Sequence, residues 1–199
     1  MSKHLLALCT AAALALTGCA SAERNNNGSA DAETSSSSSG LDSVLKRHRL
    51  DEMGPAEMID RLDRLSGENR PTDLVASVLP DRLVLSGGGE EMSLDIPRER
   101  FYLSVAPYAE RTHACHNHSL TTCTGELPDQ DVAVKVIDQA TGEVLMDESR
   151  TTFSNGFVGL WLPRDIHATL TITSEGARGQ ADISTTAEAP TCLTTLRLT

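Results

Sequence analysis

Aromatic side chains are scarce in this sequence: one Trp, two Tyr and three Phe make up 3% of its 199 residues. Aromatic residues normally supply the largest buried area per side chain. A core with so few of them must be built mainly from Leu and Val. We expect Trp161, Phe153 and Phe157 to anchor it.

Basic residues are also in the minority, with 17 Lys and Arg against 28 Asp and Glu and a formal net charge of −11. Binding to nucleic acid depends on neutralising phosphates with Lys and Arg. The charge balance therefore excludes a nucleic-acid partner.

The familiar catalytic motifs are missing. The sequence contains no Gly-x-Ser-x-Gly elbow, no P-loop, no His-Glu-x-x-His and no Cys-x-x-Cys. Their absence argues against a serine hydrolase, a nucleotide hydrolase, a zinc protease and a thioredoxin-like enzyme. A conventional enzyme is therefore not expected.

The chain also lacks an apolar run long enough to cross a bilayer, since the run from Leu5 to Leu16 is too short. It ends in Leu16-Thr17-Gly18-Cys19, which resembles a bacterial lipoprotein signal, in which cleavage precedes a cysteine that is then lipidated. We predict a signal peptide over residues 1–18 and a lipid on Cys19, giving an extracytoplasmic, membrane-anchored lipoprotein. An ordinary secretory signal cut after Ala20 or Ala22 would also export the chain. Removing residues 1–18, whose one charged side chain is Lys3, leaves a net charge of −12.

The exported part divides into three segments by composition. Residues 19–40 are rich in Asn, Ser and Ala, which predicts a disordered tether after the lipidated cysteine. Residues 41–70 show apolar side chains at helical spacing, interrupted at Gly54-Pro55. Their two short apolar stripes must pack against the following domain or against another subunit. The members of the stripes are Leu41, Val44, Leu45 and His48, and then Met58, Ile59, Leu62 and Leu65.

Residues 71–199 change to a period of two, which is typical of β-strands separated by Gly- and Asn-containing turns. We therefore predict a mostly β fold, an antiparallel β-sandwich preceded by a short helical segment. Phe101, Leu103 and Val105 should share one face of a strand. The remaining predicted strands include 83–85, 92–96, 132–136, 143–147, 157–162, 168–173, 179–184 and 192–199.

The chemistry of the chain is concentrated in the long connection after the strand that contains Phe101. This loop carries Cys115 and Cys123 together with His113, His116 and His118. A third cysteine, Cys192, begins the last predicted strand, where the rim of the sandwich would bring it beside the loop. Because an odd number of cysteines cannot be closed entirely in internal disulfides, the set favours chemistry over structure alone.

Three interpretations of this loop remain open. A Cys115–Cys123 disulfide would close a small loop and leave Cys192 unexplained. A zinc site could be formed by the two loop cysteines with His116 and His118, although the spacing is not that of a standard zinc motif. Copper is the third, because thiolates select Cu(I) and imidazole also suits copper. The histidines could then capture Cu(II) or lower the pKa of a neighbouring thiol.

Three runs of sequence resemble the CueP family of bacterial copper-resistance proteins: CHNHSLTTCTGEL at 115–127, NGFVGLWLPR at 155–164 and PTCLTTL at 190–196. The resemblance implies an extracytoplasmic copper-binding protein with a dimerising helical part, hence a homodimer. It also implies that Cys115, Cys123 and Cys192 bind Cu(I), and His118 fits the family pattern as well. His116 and His113 lie outside that pattern and are added as auxiliary metal ligands from their place in the loop. Copper would be sequestered, reduced or passed to a recipient cuproprotein. The competing interpretation is a structural or adhesive sandwich of the cell envelope with a disulfide-stapled loop and no metal role.

Overall fold

The computed structural model describes residues 39–199. The predicted signal peptide, the lipidation site Cys19 and nearly all of the predicted tether lie outside the described residues. Within the described part, no helix is both long enough and apolar enough to cross a membrane.

Two short α-helices and a 3₁₀ turn come first. Helix α1 spans Gly40–Arg47, helix α2 spans Pro55–Asp63 and the 3₁₀ turn spans Gly67–Asn69. The Ser39 hydroxyl caps α1 by accepting a hydrogen bond from the backbone N–H of Asp42 at 3.1 Å. Helix α2 begins at Pro55. The N–H groups in the first turn of a helix have no partner within the helix, so the N–H that Pro55 lacks removes no hydrogen bond. The predicted break at Gly54-Pro55 therefore separates two real helices.

Eleven strands follow in the described residues. Most show the alternating burial that a period of two predicts, and Val132, Val134 and Val136 are all buried on one side of their strand. The strands are β1 Leu74–Val78, β2 Arg82–Gly87, β3 Glu90–Asp95, β4 Arg100–Val105, β5 His118–Ser119, β6 Asp131–Asp138, β7 Val144–Thr151, β8 Val158–Pro163, β9 His167–Ser174, β10 Ala177–Ser184 and β11 Cys192–Leu193.

The strands form three separate sheets, with orders β3-β2-β1-β5, β10-β9-β6-β7 and β11-β4-β8. All pairings are antiparallel except that of β11 with β4, which is parallel. The predicted fold class, mostly β with a small helical N-terminal part, is confirmed. The antiparallel pattern has this one parallel exception.

The β4–β8 pair lies between two apolar cores. Phe101, Leu103 and Val105 point from β4 into a core shared with β6, β9 and β10, as the period of two predicts. The alternate residue Tyr102 points the other way, into a second core that contains α1, α2, β1 and β2. Both helical stripes are thus covered by the same chain. Trp161 of β8 packs against this second core, and its indole N–H donates to Asp60 of α2 at 2.9 Å.

The C-terminal segment differs from the prediction. A strand over residues 192–199 was predicted, but β11 ends at Leu193 and only a bridge between Tyr108 and Arg197 continues the pairing. Cys192 consequently packs with Ala106 and Phe157, whereas Leu196 and Leu198 belong to the main core. A single strand over 192–199 would place these three residues on one face, but the chain leaves the strand geometry between them and they divide between two clusters.

Candidate metal centre

The cysteine–histidine loop is held in place by a two-residue strand. Strand β5 pairs with β1, with His118 opposite Val78 and Ser119 opposite Ser77. The buried Thr191 hydroxyl reinforces this attachment, accepting from the N–H of His118 at 3.0 Å and donating to the carbonyl of Val78 at 2.6 Å. The middle of the loop, at His118 and Ser119, is therefore attached to β1 and to Thr191.

Cys192 reaches the loop through β11. It lies opposite Ser104 of β4, and its backbone N–H donates to the carbonyl of His116 at 3.1 Å. Its side chain is 2% exposed and packs against Phe157. The structure thus places this distant cysteine directly beside the two cysteines of the loop.

The three sulfur atoms form one cluster. Cys115 and Cys192 are joined in a disulfide with 5.6 Å between their Cα atoms, and Cys123 is a free, half-buried thiol. The Sγ of Cys123 lies 3.7 Å from the Sγ of Cys115. The Cys115–Cys123 bridge considered from the sequence is therefore not the one formed, because β11 brings Cys192 to Cys115 instead.

His118 is the buried histidine of the cluster. Its side chain is fully buried, and its Nε2 lies 2.8 Å from Oδ1 of Asp63, which is equally buried. One ring nitrogen of His118 and the sulfurs of Cys123 and Cys192 lie within 4.8 Å of one another. Since Nε2 is engaged by Asp63, Nδ1 is the nitrogen left for a metal, which it can bind once it has released its proton. A carboxylate on the second nitrogen is the usual arrangement behind a metal-binding histidine.

Asp63 is a residue that the sequence analysis missed. Its Oδ1 also accepts from Asn155 at 2.8 Å, and its Oδ2 accepts from the hydroxyls of Tyr102 at 2.6 Å and Ser104 at 3.0 Å. The signal was present: Asp63 follows Ile59 by four residues and so continues the buried stripe of α2. An acid in such a position needs partners in the core.

The ionisable groups of the cluster have altered pKa values. Burial disfavours the charged form of His118, but the Asp63 carboxylate outweighs it and raises the pKa of His118 from 6.5 to about 9. Burial also raises the pKa of Asp63, yet His118 and the donors Tyr102 and Asn155 lower it overall. For Cys123, burial raises the thiol pKa, while His118 and the N–H of Ser119 lower it by more. The protonated imidazole thus favours a thiolate at Cys123.

The NGFVGLWLPR run builds the wall of the site. Asn155 holds Asp63, and Phe157 packs its ring 4.6 Å from the ring of His118. Between them, Gly156 has φ +81°, and its backbone lies so close to Gly125 that a Cβ on either residue would overlap the other. This contact fixes the segment after Cys123 against the wall.

His113 and His116 are both exposed, in contrast to His118. His113 lies with Cys115 and Cys123 in a second group whose ligand atoms are within 4.8 Å of one another. It also lines a cavity of about 290 Å³ bordered by Tyr108, Arg111 and Glu126. His116 contributes its carbonyl to Cys192, and no cluster of ligand atoms in the described residues includes its ring. Cys123 is the residue common to both groups.

A β-rich fold that brings a histidine and three sulfurs to one point could hold a metal ion there, and soft sulfur donors suit Cu(I), zinc and iron–sulfur clusters. The family model for "Periplasmic copper-binding protein CueP" matches residues 57–197 of the chain. A solved structure titled "Crystal Structure of S.CueP" is 36% identical over 81% of this chain and 99% of that chain, with a TM-score of 0.75. No curated protein matches the chain.

The chain is a copper-binding protein of the periplasmic class. It belongs to the CueP family.

Proposed function

We propose that the chain holds Cu(I) through the thiolates of Cys115, Cys123 and Cys192, with Nδ1 of His118 as an auxiliary ligand, and that this serves copper tolerance. The observation that supports the proposal is the convergence of the three sulfurs and His118 at one end of the fold. Cu(I) is satisfied by two or three soft donors, so no fourth protein ligand is required.

The disulfide makes copper binding depend on redox state. While Cys115 and Cys192 are bonded to each other, only Cys123 can offer a thiolate. Adding two electrons and two protons opens the bridge and frees the other two sulfurs. A reducing partner is therefore needed before the site can hold Cu(I) with all three.

The reverse reaction would reduce copper. Two thiolates can each give one electron to a Cu(II) ion, forming one disulfide and two Cu(I). The exposed His113, which lies with Cys115 and Cys123, is suited to hold Cu(II) first, because imidazole suits copper in either state. The exposed His116 sits on the same loop and is proposed as a further capture residue. Each such reaction consumes the reduced cysteines, so repeated turnover needs the external reductant.

The proposal also covers location and partners. Lipidation of Cys19 and a tether over residues 19–40 would hold the domain near a membrane while it exchanges copper. We propose a homodimer and a copper-accepting cuproprotein as its protein partners. Size-exclusion chromatography with light scattering tests the dimer, and mass spectrometry of the mature N-terminus tests the lipid.

Competition for Cu(I) against a chromophoric chelator tests the central claim. We expect the reduced protein to bind about one Cu(I) per chain, and each Cys→Ser change at positions 115, 123 and 192 to weaken binding stepwise. The matched control is Ser149→Ala, at an exposed position of β7, which leaves all three sulfurs in place. Unchanged affinity in the triple Cys→Ser variant would remove the proposal and favour a structural, metal-free role.

A further inference from the structure

The guanidinium of Arg70 lies beside the cluster with most of its hydrogen-bonding capacity unused. Its Nη1 donates to the backbone carbonyl of Cys123 at 2.7 Å. Its Nε and Nη2 are shielded from solvent and have no hydrogen-bond partner among the described residues. Shielded donors on a charged group are costly to leave unpaired, so these two nitrogens are available to a negatively charged group at the cluster.

Arg70 is delivered to this place by the end of the helical segment. It follows the 3₁₀ turn Gly67–Asn69 and precedes the buried Pro71, which disfavours a helical conformation at Arg70. Its backbone is accordingly extended, with φ −70° and ψ 135°. The chain therefore turns from the helices into β1 at this residue, and the side chain meets the loop 53 residues further on.

The nearby acid cannot satisfy Arg70. Arg70 interacts electrostatically with both Asp63 and the sulfur of Cys123. Each carboxylate oxygen of Asp63 already accepts from two other side chains, through His118 and Asn155 on Oδ1 and through Tyr102 and Ser104 on Oδ2. The sulfur cluster is thus the neighbour whose charge Arg70 remains free to balance.

Binding of copper changes the charge of that cluster. One Cu(I) held by three thiolates carries a net charge of −2, beside the buried Asp63–His118 pair. A partly desolvated negative charge needs a fixed positive charge nearby, because screening by water is weak there. A guanidinium is suited to this because it stays charged and offers several donors in one plane.

We infer that Arg70 is a positioning residue of the metal centre, which holds the Cys123 segment by its carbonyl and balances the negative charge of the copper–thiolate cluster. This inference rests on the proposed Cu(I) site. The two parts of this role can be tested separately. The contact with the Cys123 carbonyl needs only a hydrogen-bond donor, whereas balancing the charge of the cluster needs a cation.

Three variants separate charge from hydrogen bonding. Arg70→Lys keeps the positive charge, and Arg70→Gln keeps a donor for the Cys123 carbonyl but loses the charge. We expect Arg70→Gln to weaken Cu(I) binding by about tenfold or more, the size expected for the loss of a partly desolvated charge pair. Arg70→Lys should keep most of the wild-type affinity for Cu(I). The control is Arg164→Gln. The guanidinium of Arg164 also donates to a backbone carbonyl, that of Arg100, but its hydrogen-bond partners include no residue of the cluster.

The readout is the Cu(I) dissociation constant from chelator competition, measured on variants whose circular dichroism matches that of the wild type. Equal weakening in Arg70→Lys and Arg70→Gln, or no weakening in either, overturns the inference while leaving the copper site intact. Failure of the wild type to bind Cu(I) more tightly than the triple Cys→Ser variant instead overturns the proposed function.

A chemical rescue covers the case in which Arg70→Gln does not fold. For Arg70→Ala, added methylguanidinium is expected to restore Cu(I) affinity, whereas methylurea of similar shape and no charge is not. Equal rescue by the two compounds, or rescue by neither, overturns the role of the charge.

Discussion

Asp63 and His118 form a fully buried pair, with Nε2 and Oδ1 2.8 Å apart, that joins the end of helix α2 to the cysteine-bearing loop. The helical segment is thereby part of the metal centre as well as of the second core. The same carboxylate is held by Tyr102 and Ser104 of β4 and by Asn155, so two further parts of the chain converge on it.

Replacing Asp63 by Asn should destabilise the protein strongly. The change removes the negative partner of a buried His118, and breaking a buried pair on one side costs about 3–5 kcal/mol. The control is Asp73→Asn, which removes the acid of the more exposed pair with His48 and should cost about 1 kcal/mol or less. Urea unfolding of the oxidised proteins measures both. Equal losses in the two variants would contradict the assigned importance of the buried pair.

Stability should fall as the pH rises through the pKa of His118. Because the pKa is raised from 6.5 to about 9 in the folded state, the ion pair stabilises fully below about 6.5 and its contribution is lost towards pH 9. The lowered pKa of Cys123 acts in the opposite direction over part of this range, so the comparison is made in a Cys123→Ser background. We expect an unfolding free energy that declines between these pH values.

The matched variant for this pH dependence is Cys123→Ser with His118→Gln. Without the titrating imidazole, the decline between pH 6.5 and 9 should largely disappear. A decline of the same size in the double variant would show that another group is responsible. On the acid side, the lowered pKa of Asp63 predicts a loss of stability only as the pH falls below about 3.8.

Cys123 should react with alkylating reagents at lower pH than an ordinary thiol. His118 and the N–H of Ser119 lower its pKa below 9.0 despite the opposing effect of burial, and the thiolate is the reactive form. The rate of iodoacetamide labelling, followed by mass spectrometry of the peptide that contains Cys123, measures this. In His118→Gln the midpoint of the rate against pH should move upward. A midpoint that stays in place would assign the effect to something other than the imidazole.

Removing Cys192 should redirect the disulfide. The Sγ atoms of Cys115 and Cys123 are already 3.7 Å apart, so Cys192→Ser leaves two thiols positioned to form a bridge on oxidation. Mass spectrometry before and after alkylation should show no free thiol at Cys115 or Cys123 in the oxidised variant. Two alkylated cysteines would mean that the loop holds the sulfurs apart once Cys192 is gone.

Much of the fold could be predicted because burial alternates locally. The spacing of Phe101, Leu103 and Val105 is enough to assign one face of β4 to the core. The two-residue strands β5 and β11 could not be predicted in this way, since so few residues show no period. Their positions depend on pairing with β1 and β4, strands far away in the sequence.

Two parts of the site could be predicted: the loop, whose residues are neighbours in the chain, and the approach of Cys192, from its place at the start of the last predicted strand. The loop Cys115–Cys123 is visible as a cluster of soft ligands, whereas the disulfide joins residues separated by 77 positions, and three cysteines allow three pairings. Asp63 meets His118 across 55 positions, and Arg70 meets Cys123 across 53. Such contacts depend on how the helical segment packs in the second core and are not encoded in local spacing.

X-ray absorption at the copper edge of the reduced, Cu(I)-loaded protein tests the central claim most directly. The account predicts a first shell dominated by three sulfur atoms, with one sulfur lost in each single Cys→Ser variant at positions 115, 123 and 192. A shell made only of nitrogen and oxygen, or one that the Cys192→Ser change leaves unaltered, would contradict it.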